Sequence, residues 1–174
     1  MQQLTRSMPT RWALVLLIFT ACLVPASVTS ATPPGTNGRI AFMRHDDEGH
    51  WQIWTANPDM TAVDQITDGP YDNAFPVWSP DGRRLAFAST RSDISGTGAI
   101  TDIFVMNAAG TGVTQVSASI GWSSEPTWSP DGNLIAFHSD AGDWPTSLGL
   151  FVVHPDGTGQ RRLTTISSDL IDQG

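Results

Sequence analysis

Lysine is absent from the 174-residue chain, and cysteine occurs once, as Cys22. A single cysteine cannot form an internal disulfide framework, so sheet packing must hold the domain together. Nine arginines face 17 acidic residues, which gives a formal net charge of −8. A surface of this sign repels the phosphates of nucleic acids and the head groups of anionic lipids. The composition therefore predicts no nucleic-acid partner.

An apolar run long enough to cross a bilayer is also missing. The run Trp12–Val24 holds 13 residues and follows Arg6 and Arg11, and small residues occupy the stretch up to Ala31. A basic start, a short apolar centre and small residues at the end are typical of a secretory signal peptide, whereas a membrane span needs about 20 residues. We therefore predict that residues 1–31 are a signal peptide and that the mature protein is periplasmic or secreted, with no membrane span and a net charge of −10.

Cys22 leaves an alternative to plain export. Phe19–Cys22 resembles a loose lipoprotein signal, in which the cysteine becomes the lipidated first residue. Phe19 and the apolar Leu23 and Val24 fit such a signal poorly. Removal of the signal near Ala31 is therefore the favoured interpretation, and a lipid anchor at Cys22 stays open.

The same pentapeptide, Trp-Ser-Pro-Asp-Gly, stands at Trp78–Gly82 and at Trp128–Gly132, fifty residues apart. Similar apolar tripeptides follow both copies, at Leu85–Phe87 and Ile135–Phe137, and a third stands upstream at Ile40–Phe42. A period of about 40–50 residues is typical of propellers and other repeat arrays. The chain is therefore predicted to be a repeat protein in which the two tryptophans pack between neighbouring sheets.

Other landmarks keep step with this repeat. An apolar strand follows each tripeptide, and a turn that begins at Asn57, Asn107 or His154 follows each strand. Nine residues after the first residue of each turn there is an apolar residue, and a residue with a hydroxyl group follows it. These pairs are Ile66-Thr67, Val116-Ser117 and Leu163-Thr164. Each complete unit thus holds four short strands separated by turns, without helical periodicity. The pattern predicts an all-β fold.

Pro76–Phe87 and Pro126–Phe137 resemble the repeat of the TolB-type WD-like β-propeller family, and residues 39–67 resemble its second half. The resemblance implies four antiparallel strands per blade, with the x-Pro-x-Trp strand innermost and the Leu-Thr strand outermost. It also implies a non-catalytic, exported binding or scaffold module whose loops contact a protein or peptide of the cell envelope. No cofactor is expected.

This alignment divides the chain into a partial first blade (32–69), a second blade (70–122) and a third blade with the start of a linker (123–174). Propellers have 4–8 blades, so about two and a half would leave an incomplete ring whose open edges favour self-association. We expect the third blade to expose one face of four apolar side chains toward a missing fourth blade. These are Trp128, Leu134, Phe137 and Phe151.

The motifs for catalysis are weak. Gly121–Glu125 superficially resembles the Gly-x-Ser-x-Gly nucleophile elbow, but glutamate takes the last position and a strand follows, so we assign no catalytic residue. The alternative function is the N-terminal propeller of a secreted prolyl-oligopeptidase-type serine peptidase that lacks its catalytic domain. More blades after Gly174 would favour the binding module, and an α/β segment with the elbow would favour the peptidase.

Two loops carry groups that could bind something. The His45–His50 loop alternates histidine and carboxylates that could hold a divalent ion, but an exposed charged loop is the simpler interpretation, and we assign no metal ligand. Asp140, Asp143 and Trp144 lie in a loop of the third unit. An exposed tryptophan beside acids is a candidate partner-binding site.

Overall fold

The computed structural model describes residues 38–93, 96–98, 100–118, 121–140 and 148–164. Within these ranges the chain forms eleven strands and no helix, so nothing there has the length and apolar character of a membrane-spanning helix. The strands are Ile40–His45 (β1), Trp51–Ala56 (β2), Asp64–Gln65 (β3), Asn73–Trp78 (β4), Arg84–Ser89 (β5), Asp102–Asn107 (β6), Thr114–Gln115 (β7), Ser123–Trp128 (β8), Ile135–Ser139 (β9), Gly149–Val153 (β10) and Arg161–Arg162 (β11). The predicted all-β fold is confirmed. The predicted signal peptide lies outside the described residues.

The strands pair with their sequence neighbours in three antiparallel sheets. Sheet 1 holds β1 to β3 in that order, sheet 2 holds β4 to β7, and sheet 3 holds β8 to β11. Strands β4 and β8, which carry the x-Pro-x-Trp pattern, contact each other and lie where the sheets converge, so they are the innermost strands. The three sheets form an open propeller-like arrangement rather than a closed ring, as predicted.

The Ser-Pro-Asp-Gly sequence closes the hairpin between the first two strands of a sheet. In sheet 2 the Ser79 hydroxyl donates to Asp81 Oδ1 at 2.6 Å and accepts the N–H of Arg84 at 3.0 Å. Gly82 has a φ of 68°, in the left-handed region that favours glycine. Ser129 and Asp131 repeat the 2.6 Å bond in sheet 3. The serine and aspartate of the motif therefore form hydrogen bonds that stabilise the turn, which explains why the motif recurs.

A hydroxyl bond explains the constant nine-residue interval. In every sheet, a backbone N–H of the strand before the last one donates to a hydroxyl oxygen that lies just beyond the last strand. The three bonds are Ile53 N to Thr67 Oγ1 at 2.8 Å, Ile103 N to Ser117 Oγ at 2.8 Å, and Leu150 N to Thr164 Oγ1 at 2.9 Å. An inserted residue would misplace the hydroxyl, so the interval cannot vary.

Apolar side chains fill the two joints between the sheets. The joint between sheets 1 and 2 contains Ile53, Leu85, Phe87, Phe104 and Met106, with Ala41, Ile66 and Trp78 against them. The joint between sheets 2 and 3 uses the equivalent positions, namely Ile103, Ile135, Phe137, Phe151, Val153, Ala86, Val116 and Trp128. This confirms the predicted packing of both tryptophans between neighbouring sheets.

The expected exposure of the third blade was wrong for its aromatic residues. Trp128, Phe137 and Phe151 are only 9%, 1% and 7% exposed, because they point back into the joint with sheet 2. Leu134 is half-buried. Side chains alternate between the two faces of a strand, so the opposite face of sheet 3 carries their neighbours, such as Ala136 and His138.

Candidate binding site on the innermost strands

Both innermost strands contain a β-bulge at the same place. In sheet 2 the pairing skips from Ala74–Ala88 to Val77–Ala86, so that two residues, Phe75 and Pro76, oppose one residue of β5. In sheet 3 the pairing of β8 with β9 skips in the same way between Ser124 and Thr127. A bulge of this kind bends a strand and redirects the side chain of the extra residue.

The extra residue is held in an unfavourable backbone conformation. Phe75 has a φ of 53° and Glu125 has a φ of 54°. Glycine adopts such angles freely, whereas other residues in this region cost of order 1–3 kcal/mol. Strain of this kind persists where the surroundings enforce it, and it is concentrated at functional sites. Its repetition in two blades makes it a property of the repeat.

The bulge exposes the Phe75 side chain. Phe75 is 44% exposed, and its backbone N–H points at Met43 Sδ of sheet 1 at 3.3 Å. An exposed aromatic ring on an innermost strand is apolar surface that a ligand can bury. It can anchor a ligand by burying area.

Glu125, the residue at the equivalent position of β8, is exposed and charged. Its Oε2 lies 3.2 Å from Nδ1 of His138, on the neighbouring strand β9. Both side chains are about half exposed, so water competes with this contact. Phe75 on β4 offers an apolar ring, and Glu125 and His138, on the paired strands β8 and β9, offer a carboxylate and an imidazole. We term these three residues the inner-strand surface.

A buried polar network lies at the start of β4 and has a structural role. Asn73 donates to Gln52 Oε1 and accepts from Ser89 Oγ, each at 2.8 Å, and Arg91 Nη2 donates to Asn73 Oδ1 at 2.7 Å. Burial lowers the pKa of Arg91, whose guanidinium also lies 5.5 Å from the ring centre of Tyr71. These groups satisfy one another, so the network links sheets 1 and 2 and leaves little hydrogen-bonding capacity for a ligand.

Comparison with known families identifies the repeat. The family model of the TolB beta propeller domain matches residues 28–171. The chain belongs to the TolB beta propeller family. The Tol-Pal system protein TolB of Nitratidesulfovibrio vulgaris is 35% identical over 49 residues, which are 28% of this chain and 11% of that protein. An uncharacterized protein of Agrobacterium fabrum is 34% identical over 58 residues, 33% of this chain and 20% of that protein.

A solved structure supports the same fold. A TolB-like protein of Agrobacterium tumefaciens superposes with a TM-score of 0.61 at 22% identity, over 71% of this chain and 44% of that one. Identity at this level shows the fold alone. The chain thus spans a fifth or less of the two curated relatives and under half of this solved structure.

The partner-binding loop predicted for this TolB-type propeller is only partly described. Asp140 is 4% exposed, and its Oδ1 accepts the backbone N–H of Trp122 at 2.9 Å. Asp143 and Trp144 lie outside the described residues. The structure therefore gives Asp140 a role within sheet 3, and partner binding by this loop stays a prediction.

The His45–His50 loop uses its first carboxylate internally. Asp46 Oδ1 accepts from His50 N at 2.8 Å and Asp46 Oδ2 accepts from Gln52 Nε2 at 3.0 Å. Burial raises the pKa of Asp46, but these hydrogen bonds and one from Glu48 N more than offset it, so the pKa lies below its usual value. Across the part of the chain that is described, no group of three or more metal-binding side chains could hold an ion.

Sequence reasoning missed the inner-strand surface. Phe75 and Glu125 differ in type, so the repeat did not mark them as equivalent residues with a role. Their one shared signal is the proline that follows each of them. The residue before a proline is usually extended, so this signal favours a regular strand over a bulge.

Proposed function

We propose that this TolB-type propeller is a non-catalytic binding module that is exported to the cell envelope. Its inner-strand surface contacts a protein or peptide partner, and the loop with Asp140, Asp143 and Trp144 adds a second contact. Export depends on residues 1–31, either as a removed signal or through lipidation of Cys22. The repeated strain at Phe75 and Glu125 is the observation that carries the proposal.

The chemistry of the surface favours recognition over catalysis. Phe75 brings apolar area, Glu125 brings a carboxylate that accepts hydrogen bonds, and His138 brings an imidazole. Buried aromatic anchors surrounded by polar groups are typical of the energetically important centres of protein interfaces. The sequence contains no Gly-x-Ser-x-Gly pattern, so this chain on its own would be inactive under the peptidase alternative as well.

Site-specific crosslinking in cells of the source organism tests the proposal. A photoreactive phenylalanine analogue at Phe75 should form a defined adduct with an envelope protein or peptide, identified by mass spectrometry. Val113 is the matched control, because it is similarly exposed, at 37%, but precedes β7 at the opposite edge of sheet 2. The adduct at Phe75 should be absent at Val113; equal adducts at both positions, or none at Phe75, would contradict the proposal.

Two further measurements separate export and catalysis from binding. N-terminal analysis of the fractionated protein should find a start near Thr32 or a lipidated Cys22, and an uncleaved Met1 in the cytoplasm would contradict export. A fluorophosphonate probe, which labels activated serines, should leave the full chain unlabelled. Labelling of a serine here would contradict the non-catalytic assignment.

A further inference from the structure

The joint between sheets 2 and 3 contains an arginine whose hydrogen-bond donors are unused. The guanidinium of Arg84, at the start of β5, lies over the Trp128 ring, 4.8 Å from its centre. The Arg84 side chain is half-buried, and it forms no hydrogen bond or ion pair with the described residues. A guanidinium carries its N–H donors in a rigid plane, so stacking on a ring leaves its edges free. Arg84 is therefore held in place with its donors available.

The equivalent arginine of the first blade uses the same donors inside its own sheet. Arg39 stands just before β1, at the position that Arg84 has in sheet 2. Its guanidinium donates to Thr55 Oγ1 at 3.1 Å and to Asp64 Oδ2 at 2.6 Å. The position is therefore one where an arginine can be fully bonded within a blade.

Sheet 2 lacks the acceptors that hold this arginine in sheet 1. The strand pairing places Val105 at the position of Thr55 and Thr114 at the position of Asp64. A valine side chain accepts no hydrogen bond, and threonine carries no charge. The guanidinium that sheet 1 uses internally is thus available at Arg84 of sheet 2.

Arg84 lines two neighbouring clefts between the turns of sheets 2 and 3. One cleft, of about 180 Å³, lies between the two Ser-Pro-Asp-Gly turns and has Asp81 and Asp131 in its walls. The other, of about 300 Å³, extends to Asp156 in the last turn of sheet 3. Asn133 lines both clefts. Because ligand pockets have volumes of about 300–1,000 Å³, there is room for a small molecule beside the guanidinium.

The charges around Arg84 favour one class of ligand. A guanidinium binds carboxylate and phosphate groups through two parallel hydrogen bonds. Asp81, Asp131 and Asp156 line the same clefts, and the serine or threonine hydroxyl of its own turn is the main cause that holds the pKa of each below its usual value. All three are therefore ionised at neutral pH. They repel a phosphate dianion and favour a positive charge close to the bound anion.

We propose that Arg84 anchors a binding site for free amino acids between the Ser-Pro-Asp-Gly turns of sheets 2 and 3. The guanidinium binds the α-carboxylate, and the ammonium group lies toward the carboxylates of Asp81 and Asp131. The site recognises the two charged groups that all free amino acids share, whatever their side chain. It is distinct from the inner-strand surface and does not depend on partner binding there.

The described ranges stop at the opposite end of the sheets from these clefts. Strands β5 and β9 begin at the Ser-Pro-Asp-Gly turns, and the ranges stop after β5, β7, β9 and β11, which all run away from those turns. The first described residue, Gly38, lines a different cleft, together with Arg39 and Trp78. Within the described part of the chain, the clefts at Arg84 are therefore open to a ligand.

Titration of the full chain with three matched small molecules tests the ligand class. Glycine carries both charged groups, acetate carries only the carboxylate, and glycinamide carries only the ammonium group. The indole ¹⁵N–¹H NMR signal of Trp128 reports binding, because Arg84 lies on this ring. Trp128→Phe assigns the signal, and the indole of Trp78, in the other joint, is the internal reference.

Glycine should bind saturably at millimolar concentrations. Acetate and glycinamide should each bind at least about 10-fold more weakly, because each lacks one charged, hydrogen-bonded contact. Acetate that binds as well as glycine, or inorganic phosphate that binds more tightly, would overturn the assignment of the ligand class. Absence of saturable glycine binding would overturn the site itself.

Variants of two neighbouring arginines test the anchor. Arg84→Leu should weaken glycine binding at least about 10-fold and keep the fold, because Leu134 has the same position in sheet 3. Arg83→Leu is the matched control. It removes the same charge from the same turn, but the described lining of the two clefts does not include Arg83, so glycine should bind as it does to the parent. Equal losses in both variants would show a general effect of charge and overturn the role of Arg84.

A new carboxylate on β7 should block the site from within. Thr114→Asp gives Arg84 an acceptor like Asp64 of sheet 1, so the guanidinium should leave the indole and glycine should bind at least about 10-fold more weakly. Val113→Asp adds the same charge one residue earlier, on the other face of the sheet, and should keep the parental affinity. Unchanged glycine binding by Thr114→Asp would contradict the proposed anchor. If an acidic residue outside the described ranges already holds Arg84, the parent does not bind glycine and Arg84→Leu lowers the melting temperature, which also overturns the proposal.

Discussion

The hydroxyl of Ser117 donates a hydrogen bond of 2.8 Å to the carboxylate of Asp102 inside sheet 2. The same oxygen accepts the backbone N–H of Ile103. Asp102 is 2% exposed and Ser117 is 3% exposed, so water cannot replace either bond. One hydroxyl therefore holds a buried carboxylate and the outer edge of the blade together.

Replacing Ser117 with alanine should destabilise the protein by about 1–3 kcal/mol, because a buried N–H loses its acceptor and a buried carboxylate loses a donor. Chemical denaturation measures the change. Ser117→Thr is the matched control and should stay close to the parent, since Thr67 and Thr164 hold the same position in the other sheets. Equal losses in both variants would show that packing, rather than the hydroxyl, is responsible.

Acid should destabilise the fold through the turn aspartates. The Ser79 hydroxyl and then the Arg83 N–H hold the pKa of Asp81 below its usual value of 3.8, and the Ser129 hydroxyl and the Asn133 N–H do the same for Asp131. A depressed folded-state pKa contributes stability that is present above the unfolded pKa and is lost as the pH falls through the folded one. We expect stability from these groups to be constant near pH 7 and to fall below about pH 4.

Thermal melts between pH 7 and pH 3 measure this effect. The double variant Asp81→Asn, Asp131→Asn should show a smaller decline in melting temperature over this range than the parent. Asp47→Asn, on an exposed loop, is the control and should keep the parental slope. An unchanged slope in the double variant would contradict the assignment to these two turns.

The turn before the fourth strand should accept glycine in the first blade. Met60 has a φ of 61° and is 56% exposed, whereas the other two sheets have Gly110 and Gly157 at this position. Met60→Gly should raise the free energy of unfolding by up to about 1 kcal/mol, because it relieves a left-handed conformation that costs a non-glycine residue about 1–2 kcal/mol. A loss of stability in urea denaturation would contradict this account.

Gly110→Ala is the converse change and should be strongly destabilising. Gly110 has a φ of 79°, and an added Cβ would overlap the backbone carbonyl of Ile66 in the preceding sheet. Gly157→Ala should cost less, since its Cβ would lie 3.5 Å from Gln115 O, an ordinary contact distance. Equal costs for the two variants would show that only the backbone angle matters.

Phe75 should show opposite effects on stability and on binding. Phe75→Gly removes the strained left-handed phenylalanine, so the free energy of unfolding should stay level or rise by about 1 kcal/mol. The same variant should lose most of its affinity for the partner that crosslinks at this position, measured by titration calorimetry. A drop in stability of more than about 1 kcal/mol would mean that the ring is a packing residue instead.

The strands and the joints between sheets were predicted well, because the same sequence pattern occurs in each repeat. The hydrogen bonds of the Ser-Pro-Asp-Gly turn and of the Thr67 or Ser117 hydroxyl join residues that are close in sequence and have a fixed spacing. Such interactions can be predicted from a sequence. The direction in which Phe137 and Phe151 point was not predictable. The alternation of apolar and polar residues along a strand shows which side chains share a face of the sheet, but not which neighbouring sheet that face contacts. The bulge at Phe75 depends on pairing across strands, which the residue order does not encode.

The two joints have one further consequence, for how proteins of this kind change in length. The two joints are built from equivalent residues: Ile53, Leu85 and Phe87 in the first, and Ile103, Ile135 and Phe137 in the second. Each blade therefore has one packing surface for the preceding blade and another for the following blade, and these surfaces are similar from blade to blade. A recombination event that duplicates or deletes one unit between Trp78 and Trp128, fifty residues apart, would bring together two packing surfaces that already fit each other. An array of such blades can therefore gain or lose a blade in one genetic step, without the evolution of a new interface between blades.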